Sequence, residues 1–539
     1  MLERGYYQPI PQPSSSSRSR HLFLIGATAV LLLFLLNASR TEEARSWTQW
    51  ETSTASNELE GPGKLEGIIG KVEGGMTAPN DHVEALMAPP GTSSPPTLEV
   101  LQLHREDWPV PSELGKEDRY LSYLPHSGFH NQRISLVNAL VLSKLLDRIL
   151  LVPAVTIGAP IGWGNPRRLQ HDLERAQGSS IPRCRAIKDP EMRRKKCGTN
   201  WDSIRASWSW LLDSERISTE HKVITRHQIE RKWMMEALEI EETDIYTFSD
   251  EDRYSHQLFD DSTNPSNLED YHANFTNRIN LEELQALRSF KLLEFGSLFG
   301  QTRLILSSEE NKELRERTRM LMAFKEPIIE AASESVAVRL GGRNEYFAVH
   351  LRTGHRDRFE ENGREYAADV FQKLCEACGL PSSTIFTLLN ANRHDPSDPS
   401  YSPTPLSLPD PSSATSSTSL SCPYALYPPA SPLAALNKPL YMATDASSPQ
   451  SAGSIELFRN TFPCLFIYKN FEGESGGEEL ARLKRLVGDE TGEPLERFFI
   501  PFVEAEVVAK AEIALGTPGS TFSTFATTTL FESYHLESL

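Results

Sequence analysis

The chain has 539 residues, 39% of them hydrophobic, and its 73 Asp and Glu outweigh 55 Lys and Arg to give a formal charge of −18. That length and apolar content suffice for about two to four domains with full cores, so a chain disordered throughout is excluded. The acidic balance, with no long Lys/Arg run, argues against a nucleic-acid partner, which needs basic patches to neutralise phosphates.

The first feature in chain order is the run LFLIGATAVLLLFLL, Leu22 to Leu36, with Arg18 and Arg20 before it. Typical spanning helices need about 17 to 25 residues, so this run fits either a short membrane anchor or a signal-peptide core. The positive flank places the N-terminus in the cytoplasm and the bulk of the chain in a lumen. The expectation is a cytoplasmic tail over 1–20, a signal anchor over 21–37, and a single-pass type II protein of the Golgi or endoplasmic reticulum membrane. Residues 41–115 are rich in Ser, Thr, Glu, Gly and Pro without a sustained apolar period, which predicts a disordered stem. The sequon at Asn274-Phe275-Thr276 fits a luminal address and glycosylation of Asn274. Among six cysteines, Cys184 and Cys197 form the expected bridge. Cys375 and Cys378 make a CxxC with no second ligand pair at zinc spacing, so a metal is not indicated there.

Apolar density rises near Tyr120. The stretch GFHNQRISLVNALVLSKLLDRILLVP predicts a polar turn, a helix over about Gln132 to Leu146, and a buried strand in RILLVPAV. Trp163 to Asn200 is basic and irregular, and Trp201 to Glu241 alternates aromatic and charged residues in a helical manner; together they predict a helical insertion. KLLEFGSLFG reads as a strand ending in a glycine turn, Asn311 to Leu340 as a helix, and EYFAVHLRTG as a strand that breaks at Gly354. Residues 382–437 are Pro/Ser/Thr-rich and predict a disordered insertion. Strands follow in KPLYMATDA, PCLFIYKN and EIALG, with a helix over Phe502 to Ala511 and a turn, TPGSTFST, that opens a last helix. At least five β-loop-α units fall into two groups, 120–340 and 341–539. The expected class is α/β: two doubly wound, Rossmann-like lobes with a cleft between them.

Three polar turns stand at strand ends or helix starts: GFHNQR, HLRTGH and TPGSTFS. Each offers backbone N–H groups or an arginine fork suited to a diphosphate. Arg352, at the end of a buried strand, needs an anionic partner, either a ligand phosphate or an acid of the fold. The first turn also fits simple helix capping.

The motifs GFHNQRISLVNALVLSKLLDRILLVP, LLEFGSLFG, LGGRNEYFAVHLRTG, LYMATDA and GTPGSTFS, in this order, resemble the GDP-fucose protein O-fucosyltransferase family in its fungal, membrane-anchored branch. The resemblance runs from about Tyr120 to Tyr534. It implies a GT-B fold, a GDP-fucose donor and inverting, metal-independent transfer of fucose to a hydroxyl of a protein or glycan, with no cofactor. His350, Arg352 and Gly354 match an H-x-R-x-G motif, and the resemblance makes Arg352 the catalytic residue that holds the donor diphosphate and stabilises the leaving group. Gly128, Phe129 and Asn131 match a donor-facing loop, Ser520, Thr521 and Phe522 a phosphate-gripping turn, and Asp445 an acid that reads the guanine edge.

Two positions depart from the pattern. Ser127 stands where some family members place a catalytic Glu, and His355 stands where Asp often follows the glycine. His126 and His130 are the nearby groups able to take a proton near neutrality. A non-catalytic, membrane-anchored protein that binds a nucleotide sugar or glycan is therefore the alternative. A third reading is a metal-dependent transferase using Asp250 and Asp252 of the D-x-D in SDED.

Overall fold

The computed structural model describes residues 98–536, apart from 104–107, 109–114, 116, 178–180, 199–200, 261–274, 355–362, 392–421, 447–448, 450–452, 473–476 and 490–491. The tail, the apolar run Leu22 to Leu36, most of the stem, Asn274 and His355 lie outside the described residues. Among the described residues no helix is long and apolar enough to cross a membrane.

Two parallel sheets organise the chain in the GT-B manner, each flanked by helices. The first contains β1 (Tyr120–Tyr123), β2 (Ile149–Pro153), β3 (Val223–Arg226), β4 (Ile245–Phe248) and β5 (Leu292–Phe295) in the order β3-β2-β1-β5-β4. The second contains β6 (Phe347–Leu351), β7 (Leu440–Thr444), β8 (Leu465–Phe466) and β9 (Ile513–Gly516) in the order β8-β7-β6-β9. All neighbours within both sheets run parallel. Strand order reverses between β1 and β5 in one sheet and between β6 and β9 in the other. In open α/β sheets ligands bind outside the carboxyl ends of the strands at such a reversal.

The apolar runs explain these strands. ILLVP and FAVHL are buried along their whole length, as strands covered on both faces must be. Helix α1 (Phe129–Leu145) starts three residues earlier than its apolar period suggests, because Gly128 supplies an extended N-cap and Phe129 is already helical. Its Leu136, Leu140 and Leu142 are fully buried, each contributing about 1.5–3 kcal/mol of burial. The Phe129 ring then meets Phe502 of the helix Glu496–Ala509 at 4.7 Å and Trp208 at 5.4 Å, so the two lobes share an aromatic core.

Several expectations are corrected. The stem does not remain unstructured to residue 115: Glu99–Leu101 pairs in parallel with Leu486–Gly488, and Leu101, Leu103 and Trp108 are buried. Leu101 and Leu103 turn inward from this segment, while Leu98 and Val100 stay exposed. VITR, placed in a helical insertion by its surroundings, is β3 at the edge of the first sheet. The helix expected over Asn311 to Leu340 is two, Glu309–Met320 and Pro327–Arg339, because Glu326 caps and Pro327 opens a new helix. The Pro/Ser/Thr-rich insertion begins later than residue 382, since Ser382–Ala391 is helical with Ile385 and Leu388 buried. Residues 422–437 are also described, and Cys422 is disulfide-bonded to Cys464. Cys184 and Cys197 form a second disulfide. Cys375 and Cys378 are free, and burial pushes both thiols up to about 12, which leaves them inert.

Candidate donor site

The reversal between β6 and β9 brings two of the three polar turns together. Arg352 leaves the end of β6, and its backbone N–H donates to Thr517 Oγ1 at 3.0 Å, tying it to the turn after β9. Its Nη1 meets Asp445 Oδ2 at 2.7 Å, just past the end of β7. The other carboxylate oxygen of Asp445 accepts from Thr353 N at 2.8 Å and Thr353 Oγ1 at 3.1 Å. Asp445, assigned to the guanine edge by the motif, is thus occupied in holding the Arg352 loop. The guanidinium is 42% exposed and keeps donors beyond Nη1 for a ligand.

The turn after β9 is built from hydroxyls. Thr517 N donates to His350 O at 3.0 Å, and Ser520 caps the helix Thr521–Thr524 by accepting from Ser523 N at 3.3 Å. His350, matched to a ligand-binding motif, lies beneath this turn: it is 4% exposed, its Nδ1 pairs with Ser523 Oγ at 2.6 Å, and its ring stacks on Phe522 at 4.2 Å. Burial lowers its pKa to about 3, with Asp445 opposing and Arg352 reinforcing the shift, so the ring is neutral. His350 supports the turn from inside.

A Cβ on Gly516 would meet Ser523 Cβ at 2.5 Å and Oγ at 2.9 Å. Gly516→Ala must therefore displace the helix start that His350 and Ser520 hold. The expected outcome is a stability loss of about 1–3 kcal/mol, as for overpacked cores, with weakened nucleotide binding. Thermal unfolding and a GDP titration check both; unchanged binding would show that the turn does not contact the nucleotide.

The third turn comes from the other lobe. Asn131 Oδ1 accepts from Thr521 Oγ1 at 3.2 Å, joining the start of α1 to the β9 turn. His130 lies between Phe522 and Phe525, each 5.1 Å away, and burial first, then Arg133 and His350, holds its pKa well below the ordinary value. Gly128 is the N-cap of α1, and Phe129, expected at the donor, packs into the shared core instead.

Ser127 sits in the left-handed region at φ 64°, and its Oγ pairs with His126 Nδ1 at 2.8 Å. His126 Nε2 pairs with Ser297 Oγ at 2.7 Å, just after β5. This imidazole is 1% exposed, and burial, with Arg253 and Arg303, lowers its pKa to about 3. It fixes the Ser127 hydroxyl but is a poor proton acceptor at neutral pH. Gln132 locks the same turn by donating to Ser127 O at 3.1 Å and to Thr156 O at 2.9 Å. Thr517, Ser523, Gln132 and Ser297 were not singled out in the sequence, although all four lie inside or beside the five motifs; their roles depend on partners distant in the chain.

Asp250 and Asp252 do not offer a free acidic pair. Asp250 is 3% exposed and faces Arg303 Nη1 at 3.8 Å. The Asp252 carboxylate accepts from Tyr254 N at 2.7 Å within its own turn. Both carboxylates already serve the fold.

No protein-family model and no curated protein matches this sequence. Among solved structures, POFUT1 in complex with GDP-fucose is similar at 12% identity with a TM-score of 0.34, covering 78% of this chain and 96% of that one. The apo form of POFUT1 matches at 12% identity and TM-score 0.32 over 79% of this chain and 97% of that one. POFUT1 in complex with GDP matches at 13% identity and TM-score 0.30 over 75% and 100%. A likeness this distant carries no weight for chemistry, which rests on the residues themselves.

Proposed function

We propose that the chain is a glycosyltransferase that takes a nucleoside diphosphate sugar, GDP-fucose on the resemblance of its motifs, and passes the sugar to a hydroxyl of a protein or glycan. One observation carries this reading: Arg352, the Thr517 to Thr521 turn and Asn131 converge at the carboxyl ends of β6 and β9, joined by contacts of 3.0 and 3.2 Å. Arg352 takes the diphosphate and stabilises charge on the departing GDP, while Ser520, Thr521 and the turn N–H groups bind its oxygens. Asp445 positions Arg352, and inverting transfer then proceeds without a metal ion. The expected result is GDP release from GDP-fucose that persists in EDTA; release that requires manganese would overturn the metal-independent form.

A second reading, a binding protein without turnover, draws on the Ser127 turn. The imidazole beside Ser127 is held neutral and weakly basic, so no base for the acceptor hydroxyl stands there. Binding of GDP-fucose with no turnover on any acceptor would establish this reading in place of the first.

A further inference from the structure

The first sheet has its own reversal, between β1 and β5, and a cavity of about 230 Å³ opens at the carboxyl ends of those strands and β4. Its polar lining is Arg167 and Gln170 of the helix Pro166–Gln177, with Arg231, Thr247, Ser249 and Glu294. At its base Arg231 Nη2 donates to Glu294 Oε2 and, at 2.9 Å, to Thr247 Oγ1, which itself donates to the same Glu294 oxygen at 3.3 Å. Both bonds fall on the same carboxylate oxygen, Oε2. Arg231 Nη1 is engaged by Glu242 Oε1 at 2.6 Å.

This lining selects by charge and size. Arg231 is paired with both Glu294 and Glu242, and Arg167 balances the second carboxylate, so the charges around the cavity cancel and neither an anion nor a cation is favoured. Gln170 Nε2 donates to Glu174 Oε1 at 2.9 Å, so its amide oxygen faces a ligand as an acceptor. A neutral group with hydroxyls donates to that oxygen and to the Glu294 carboxylate and accepts from Arg167. Ligand pockets for drug-sized molecules run to about 300–1,000 Å³, so this smaller space suits one ring. The cavity also adjoins the donor loop through Gly296, which lines it, and the next residue, Ser297, which pairs with His126 and thereby with Ser127.

We propose that this cavity seats one neutral sugar residue of the acceptor, so that the acceptor is a glycan. The proposal rests on the glycosyltransferase reading. Arg167 and Gln170 hold the ring from the helix side, and the Arg231–Glu294 pair orients its hydroxyls from the floor.

The test uses the full chain in a sugar-free zwitterionic detergent, with GDP present and a panel of methyl hexopyranosides and methyl pentopyranosides as probes. Saturation-transfer NMR is expected to show saturable binding of at least one glycoside. The double variant Arg167→Ala, Gln170→Ala is expected to weaken it by about tenfold, the equivalent of one or two neutral hydrogen bonds, with GDP affinity unchanged. These residues lie on a surface helix, so folding should be retained; Thr247→Val and Glu294→Gln probe the floor. If GDP binds but no glycoside does, or if glycoside binding survives the double variant, the cavity assignment is overturned and the donor reading stands. Efficient transfer to an unglycosylated peptide would likewise overturn it. Failure of GDP itself to bind would remove the donor reading, and the acceptor proposal with it.

Discussion

Arg352→Ala is expected to lower sugar transfer by about 10²- to 10³-fold, the usual cost of deleting one fixed donor to a developing anion. The fold should survive the change. Arg352 and Asp445 are 42% and 30% exposed, and a pair this open to water contributes at most about 1 kcal/mol. Lost activity with an unchanged unfolding temperature therefore separates a role in binding or catalysis from a structural one. Arg352→Lys keeps the charge but not the planar fork, so it should fall between wild type and alanine. Asp445→Asn leaves Thr353 an acceptor and removes the ionic partner; the expectation is a smaller loss than for Arg352→Ala, since the guanidinium is loosened and not removed. Equal activity in Arg352→Ala and wild type would sink the assignment.

The second large effect is on stability in acid. His126 and His350 are buried neutral with pKa values lowered to about 3, while an unfolded imidazole titrates near 6.5. Between those values the unfolded state binds more protons than the native state. The stability these rings contribute is therefore complete above pH ~6.5 and is lost as pH falls toward 3. At pH 5 the deficit is on the order of 2 kcal/mol for each ring. Glu504 acts in the opposite sense, because burial raises its carboxyl to about 8 and the native state holds its proton from there down to the ordinary carboxylate range. A difference measurement isolates the imidazole. Denaturant unfolding of wild type and His350→Gln at pH 7 and pH 5 should show a pH dependence smaller by about 2 kcal/mol in the variant. Identical dependence in the two proteins would mean that His350 is already charged in the native state.

Much of the fold was legible because buried parallel strands have local signatures. ILLVP, FAVHL and LYMAT are short apolar runs bounded by turns, and each became a central strand. VITR lacked that signature: its Thr and Arg among charged neighbours gave no reason to add it to a sheet edge. Position in the site was less legible than membership. Arg352 is tied to the β9 turn through Thr517, and that turn reaches Asn131 at the start of α1 through Thr521; the resemblance of the motifs, not local pattern, had grouped these residues. Which side of a turn a residue faces depends on its tertiary neighbours. Phe129 turned into the core because Phe502 and Trp208 meet it there, and His350 went beneath the turn because Ser523 Oγ pairs with its Nδ1 there. The acid needed near Arg352 proved to be Asp445, a residue the motif had given to the nucleobase.

Hydrogen–deuterium exchange of the full chain with and without GDP tests the central claim most directly. The account predicts protection by GDP of amides within 350–354 and 517–524, with the facing turn 128–132 also slowed and helix 166–177 unchanged. Protection confined to other segments, or none at saturating GDP, would contradict a nucleotide site at the β6–β9 reversal.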